Sequence, residues 1–139
     1  MSRERKLKLL VVMLKASESI NEIIRKDMQN YGLNPTEFAV LELLYSKGDQ
    51  PIQHIGKKIL LASSSITYVV DKLEDKGYVE RLDCPDDRRV KFASITDKGR
   101  DFMEESFPKH ADMIEDLFSH LSDADVERSI ELLKKIGKR

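Results

Sequence analysis

Tryptophan is absent from this 139-residue chain, cysteine occurs once, and aromatic residues make up only 6%. The single cysteine, Cys84, excludes an internal disulfide framework. So few aromatics argue against a surface built to stack bases or sugars. The longest apolar run, Leu9-Leu10-Val11-Val12-Met13-Leu14, falls far short of the roughly 20 residues a membrane span needs. Met1 to Lys8 is charged and does not have the pattern of a signal peptide, so the cytoplasm is the expected compartment. His54, His110 and His120 stand at no helical i, i+3 or i+4 spacing and no Cys-x-x-Cys is present, so no metal is expected. Also missing are a glycine-rich phosphate loop and any nucleophile–base arrangement. Asp86-Asp87 are paired carboxylates in sequence only, in a turn without a cleft. No cofactor is implied, and the chain does not read as an enzyme.

An excess of either charge is missing too. The 24 Lys and Arg face 25 Asp and Glu, for a formal net charge of −1. A nucleic-acid binder is expected to be basic, so the distribution matters more than the total. Residues 1–50 carry 8 basic and 7 acidic side chains, residues 51–100 carry 10 and 8, and residues 101–139 carry 6 and 10, which gives +1, +2 and −4. The acidic excess belongs to the C-terminal part and leaves the middle mildly basic. Hydrophobic residues at 40% and charged residues at 35% suit a single helical domain with solvated outer faces.

What is present is helical periodicity with clear punctuation. From about Arg3 to Asn30 there is no Pro or Gly, and Leu9, Met13, Ala16, Ile20 and Ile23 recur at helical steps, as do Leu7, Leu10 and Leu14. A chain this small cannot cover so long a helix, so part of its apolar face is expected to meet a partner. Asn34-Pro35-Thr36-Glu37 predicts a capped start, with Phe38, Leu41, Leu44 and Tyr45 as an apolar stripe and Lys47-Gly48 as the stop. A short helix is predicted from about Ile52 to Leu60, with Ile55 and Ile59 inward and Gly56 suited to close helix contact. From about Ser63 to Lys76, Ile66, Val69, Val70 and Leu73 fill one helical face, and Ser64, Thr67, Tyr68, Asp71 and Asp75 fall on the other.

Tyr78–Leu82 and Val90–Ile95 read as a β-hairpin around the turn-rich Asp83-Cys84-Pro85-Asp86-Asp87, with Arg88 and Arg89 near the tip. Thr96 caps a helix predicted from about Lys98 to His120, interrupted or bent at Pro108, which lacks an amide hydrogen. Ser122 or Asp123 opens a last helix with Val126, Ile130, Leu133 and Ile136 inward. Met13, Met28, Met103 and Met113 are read as core or interface residues, and His110 and His120 as surface or interface residues.

This order places a helix-turn-helix before a wing. A helix fits the DNA major groove, and an arginine-tipped hairpin can reach the adjacent minor groove. At these residues the chain resembles the MarR family of transcriptional regulators. The resemblance runs through Asp71-Lys72-Leu73-Glu74-Asp75-Lys76-Gly77-Tyr78-Val79-Glu80-Arg81 and the wing signature Asp87-Arg88-Arg89 with Ile95-Thr96. Asn34-Pro35-Thr36-Glu37-Phe38-Ala39-Val40-Leu41 is similar to the family's second helix.

The resemblance implies a mainly α fold with a small β-wing. Residues 33–99 would form the winged helix-turn-helix, and about 3–32 and 100–139 would be the dimerising N- and C-terminal helices of one domain, 1–139. It implies a homodimer on a palindromic operator in double-stranded DNA, usually a repressor, often released by a phenolic or other aromatic ligand or by oxidation. Carried over by position, Ser63, Ser64, Ser65, Thr67, Tyr68 and Lys72 would lie at the major groove, one serine serving as cap and another meeting phosphate. Arg88 and Arg89 would enter the minor groove, and Arg81 would brace the wing. Two positions depart from the family pattern. Tyr68 stands where many members have Arg. Ala62 stands where some have an Asp paired with the arginine at Arg81, so Arg81 either meets phosphate or pairs elsewhere. Cys84 lies among Asp83, Asp86 and Asp87, which disfavour a thiolate, so it does not read as a redox sensor. The competing reading is a winged-helix protein-interaction module without DNA function, which such a chain would reach by losing the wing arginines.

Overall fold

The computed structural model describes residues 2–59 and 63–138, with Ser63 and Ser64 described through their backbone only. Helix α1 spans Ser2–Gln29, α2 Pro35–Lys47, α3 Ile52–Lys58 and α4 Ser63–Asp75. Strand β1 is Gln50–Pro51, β2 Val79–Asp83 and β3 Lys91–Ile95; helices α5, Asp97–Leu117, and α6, Asp123–Gly137, follow. The chain divides into two compact units, Met1–Met103 and Glu104–Arg139, and the division falls inside α5.

Local chemistry explains the helix boundaries. The Asn34 side chain accepts from the Glu37 amide at 2.8 Å while Glu37 Oε1 accepts from the Asn34 amide at 2.9 Å, a reciprocal cap with Pro35 at the first position. Ser122 and Asp125 repeat that box at α6. Thr96 Oγ1 accepts from the Gly99 amide at 3.1 Å and donates to the Gly77 carbonyl at 2.6 Å, so one hydroxyl caps α5 and ties it to the end of α4. Gly77 closes α4 at φ +83°, a left-handed conformation that costs glycine little. Gly99 is required for another reason. A Cβ there would collide with the Tyr78 carbonyl and stand 2.9 Å from Ile95 Cγ1.

The core of the first unit draws on α2 (Phe38, Val40, Leu41, Leu44), α3 (Ile52, Ile55) and α4 (Ile66, Val69, Val70, Leu73), closed by Val79, Ala93 and Ile95. Glu37 is buried with them, and Lys76 Nζ lies 3.2 Å from both of its carboxylate oxygens and 2.9 Å from the Gly32 carbonyl. This pair joins the end of α4 to the start of α2. Tyr78 stacks on Phe102 at 4.8 Å, and Tyr31 meets Phe102 edge-on at 6.2 Å.

Several expectations need correcting. The wing is three-stranded, in the order β1-β3-β2 and antiparallel throughout, because Gln50 pairs with Ala93 and Pro51 with Phe92. Helix α5 continues through Pro108 without interruption: the missing amide forfeits one bond to the Glu104 carbonyl, and the turns on either side keep theirs. The α6 stripe does not point inward, since Ile130, Leu133 and Ile136 are about half exposed. His110 is buried, not at the surface, 6.3 Å from the Phe107 ring. Ile59 lies in a turn beyond α3, and Leu60 and Ala62 fall outside the described residues.

Candidate nucleic-acid interface

Helix α4 turns its apolar residues into the core, with Ile66, Val69, Val70 and Leu73 each at most 7% exposed. The 3.6-residue period then forces Ser65, Thr67, Tyr68, Asp71 and Lys72 outward, and all five are exposed. Tyr68 is 62% exposed, and Lys72 Nζ sits 5.3 Å from its ring centroid. The side chains of Ser63 and Ser64, also expected in this surface, lie outside the described residues.

Arg81 joins the wing to this helix. From β2 its Nη2 donates to Asp71 Oδ1 and its Nη1 to Glu74 Oε1, both at 2.6 Å, and Nη2 also reaches the Thr67 carbonyl at 3.4 Å. The side chain is 24% exposed. Asp71 and Glu74 would otherwise present two negative charges on the outward side of α4. Arg81 offsets them and holds β2 against the helix. Of the two roles left open for Arg81, in the free protein it pairs elsewhere. Sequence reasoning missed these partners. The available signal was that Asp71 and Glu74 sit one helical turn apart on the side facing the strand that follows.

At the wing tip Arg88 is exposed and makes no ion pair among the described residues, while Arg89 is 91% exposed. Asp87 accepts from the Arg89 side chain at 3.2 Å and from its backbone amide at 3.0 Å. These two bonds, the side-chain one first, hold the Asp87 carboxyl below the usual aspartate range. Lys91 pairs with Asp83 across the hairpin. Such solvent-exposed pairs are weak, so a phosphate can exchange for the carboxylate at little cost.

A cavity of about 350 Å³ lies where these parts converge, lined by Gln53, His54, Thr67, Arg81, Arg89 and Lys91 among others. The structure thus brings Thr67, Arg81 and Arg89 together and adds Gln53 and Lys91, which no sequence pattern marked. Arg88 and Tyr68 stand outside this cavity. Among the described residues no helix is long and apolar enough to cross a membrane.

Comparison with known proteins places this geometry in context. The family model "MarR family" matches residues 33–91. The HTH-type transcriptional regulator MhqR of Bacillus subtilis is 56% identical over 134 residues, covering 96% of this chain and 92% of that protein. Among solved structures, the fold matches Sco3205, a MarR family transcriptional regulator from Streptomyces coelicolor in complex with DNA. The TM-score is 0.91 at 21% identity, over 96% of this chain and 86% of that one. It also matches Bordetella bronchiseptica BpsR, whose DNA binding is regulated by 6-hydroxynicotinic acid, with a TM-score of 0.83 at 21% identity over 94% and 98%.

Proposed function

This chain belongs to the MarR family of winged helix-turn-helix, DNA-binding transcriptional regulators, and from that premise we propose that it acts as a homodimeric repressor on a palindromic operator until a small aromatic ligand releases it. The observation that carries the DNA-binding part is the joining of two surfaces by one side chain. A polar, exposed α4 face and an arginine-tipped wing are held side by side by Arg81 on Asp71 and Glu74. In this reading Ser65, Thr67, Tyr68 and Lys72 face the major groove, with Ser63 and Ser64 at the helix start beside phosphate. Arg88 and Arg89 occupy the neighbouring minor groove, where negative potential is concentrated.

Uncovered apolar surface supports the dimer. Leu7, Leu9, Leu10, Val11, Val12 and Leu14 of α1 are 49–62% exposed in the single chain. On α6, Ile130, Leu133 and Ile136 are 43–53% exposed. A soluble chain covers such surface with a second copy. Two α4 helices would then enter successive major grooves about 34 Å apart. A ligand releases DNA by favouring a dimer whose spacing no longer matches. The regulator works in the cytoplasm, beside the chromosome it reads.

A gel shift and footprint on the DNA upstream of its own gene test this reading. The expected result is a salt-sensitive, sequence-specific complex that Arg88→Ala with Arg89→Ala abolishes, while circular dichroism and the dimer mass stay unchanged. A parent protein that forms no sequence-specific complex would favour the protein-interaction reading, and a double variant that binds as well as the parent would take the wing arginines out of the interface.

A further inference from the structure

We propose that Tyr68 and Lys72 form one base-reading unit, which selects a thymine and a guanine within two base steps of each other in each operator half-site. The inference rests on the reading that α4 enters the major groove. Every other apolar side chain described on α4 is buried, yet the Tyr68 ring is 62% exposed on a polar face. A large ring exposed on a surface that meets DNA is available to an apolar partner, and the apolar feature of the major groove is the thymine C5-methyl group.

Lys72 follows one helical turn later and makes no ion pair among the described residues. Its ammonium lies 5.3 Å from the Tyr68 ring centroid, inside the roughly 6 Å range of a cation–π contact. Asp71, beside it in the chain, is occupied by Arg81. The ring contact favours one placement of the Lys72 ammonium beside Tyr68, so less rotamer freedom is lost when it meets a base. A lysine's acceptors in the major groove are guanine N7 and O6.

The spacing sets the register. Four residues of helix rise roughly 6 Å, fewer than two base steps of about 3.4 Å. The ammonium folds back over the ring, which shortens the span further.

The test begins with a duplex selected from a randomised pool by the wild-type protein. Each thymine of its half-site is then replaced by uracil, and each guanine by 7-deazaguanine. One uracil should weaken wild-type binding about fivefold and one 7-deazaguanine, within two steps, about tenfold. Tyr68→Ala should be indifferent to that uracil and Tyr68→Phe still sensitive to it. Lys72→Met should be indifferent to that 7-deazaguanine. Both side chains are on the surface, so the variants retain the fold. If both sensitivities are absent, or persist unchanged in the variants, the inference is overturned while the DNA-binding reading stands. A pool that enriches no sequence would overturn both.

Discussion

Arg81→Ala separates a clamp from a phosphate contact. Three of the five N–H donors of this side chain are committed to Asp71, Glu74 and the Thr67 carbonyl. The carboxylates are 54% and 42% exposed, so solvent screens both pairs. Each is then worth about 0.5–1 kcal/mol, and folding stability should fall by about 1–2 kcal/mol in urea unfolding. Removing the cation also leaves Asp71 and Glu74 uncompensated beside the bound DNA and frees the wing from α4. Affinity at fixed salt should therefore fall about tenfold for each half-site, the equivalent of about 1.4 kcal/mol. The number of phosphates neutralised should not change. The slope of log K against log salt, measured by fluorescence anisotropy, should stay within about 0.5 of wild type. A direct phosphate contact in both protomers would instead reduce that slope by roughly 1.8, at about 0.9 per phosphate. A loss of that size would refute the clamp.

Three further outcomes follow from the same geometry. Lys76→Met removes the ammonium facing the buried Glu37 carboxylate, whose side chain is only 6% exposed. A fully buried pair would cost about 3–5 kcal/mol to break, but Lys76 is 35% exposed and water can reach the vacated place, so about 2 kcal/mol is expected. Adding Glu37→Gln should recover at least half of it, and additive effects of the two changes would contradict the pairing. Gly99→Ala should destabilise by about 2 kcal/mol despite better helix propensity, because the Cβ meets the rigid Tyr78 carbonyl; a higher melting temperature would show that this contact yields. The Asp87 carboxyl should titrate below the usual aspartate range by carboxyl-carbon NMR and move up in Arg89→Ala. Because its folded-state value is depressed, what the pair contributes is present at neutral pH and lost as pH falls through that value; equal midpoints in the two proteins would contradict the pairing.

The helix boundaries were legible before any coordinates because their causes are local. Asn34 with Glu37, Thr96 with Gly99 and Ser122 with Asp125 each act across three residues, a distance a sequence displays directly. The same holds for the two faces of α4, where a 3.6-residue period separates Ile66, Val69, Val70 and Leu73 from Thr67, Tyr68 and Asp71. The strand–turn–strand pattern also placed Arg88 and Arg89 near a hairpin tip, and there they are found, exposed.

What the tertiary structure alone decided involves partners far apart in the chain or covered surface that periodicity cannot count. Strand β1 is two residues long and exists only because β3 supplies its hydrogen bonds from some forty positions away. Arg81 could have met phosphate or a carboxylate, and the choice depended on how β2 lies against α4. On α6 the apolar period showed which residues share a face but not what covers them, and in the single chain Ile130, Leu133 and Ile136 meet water. A hydrophobic pattern encodes a preference to leave solvent; the surface that satisfies it is set by packing, within the chain or with a second copy.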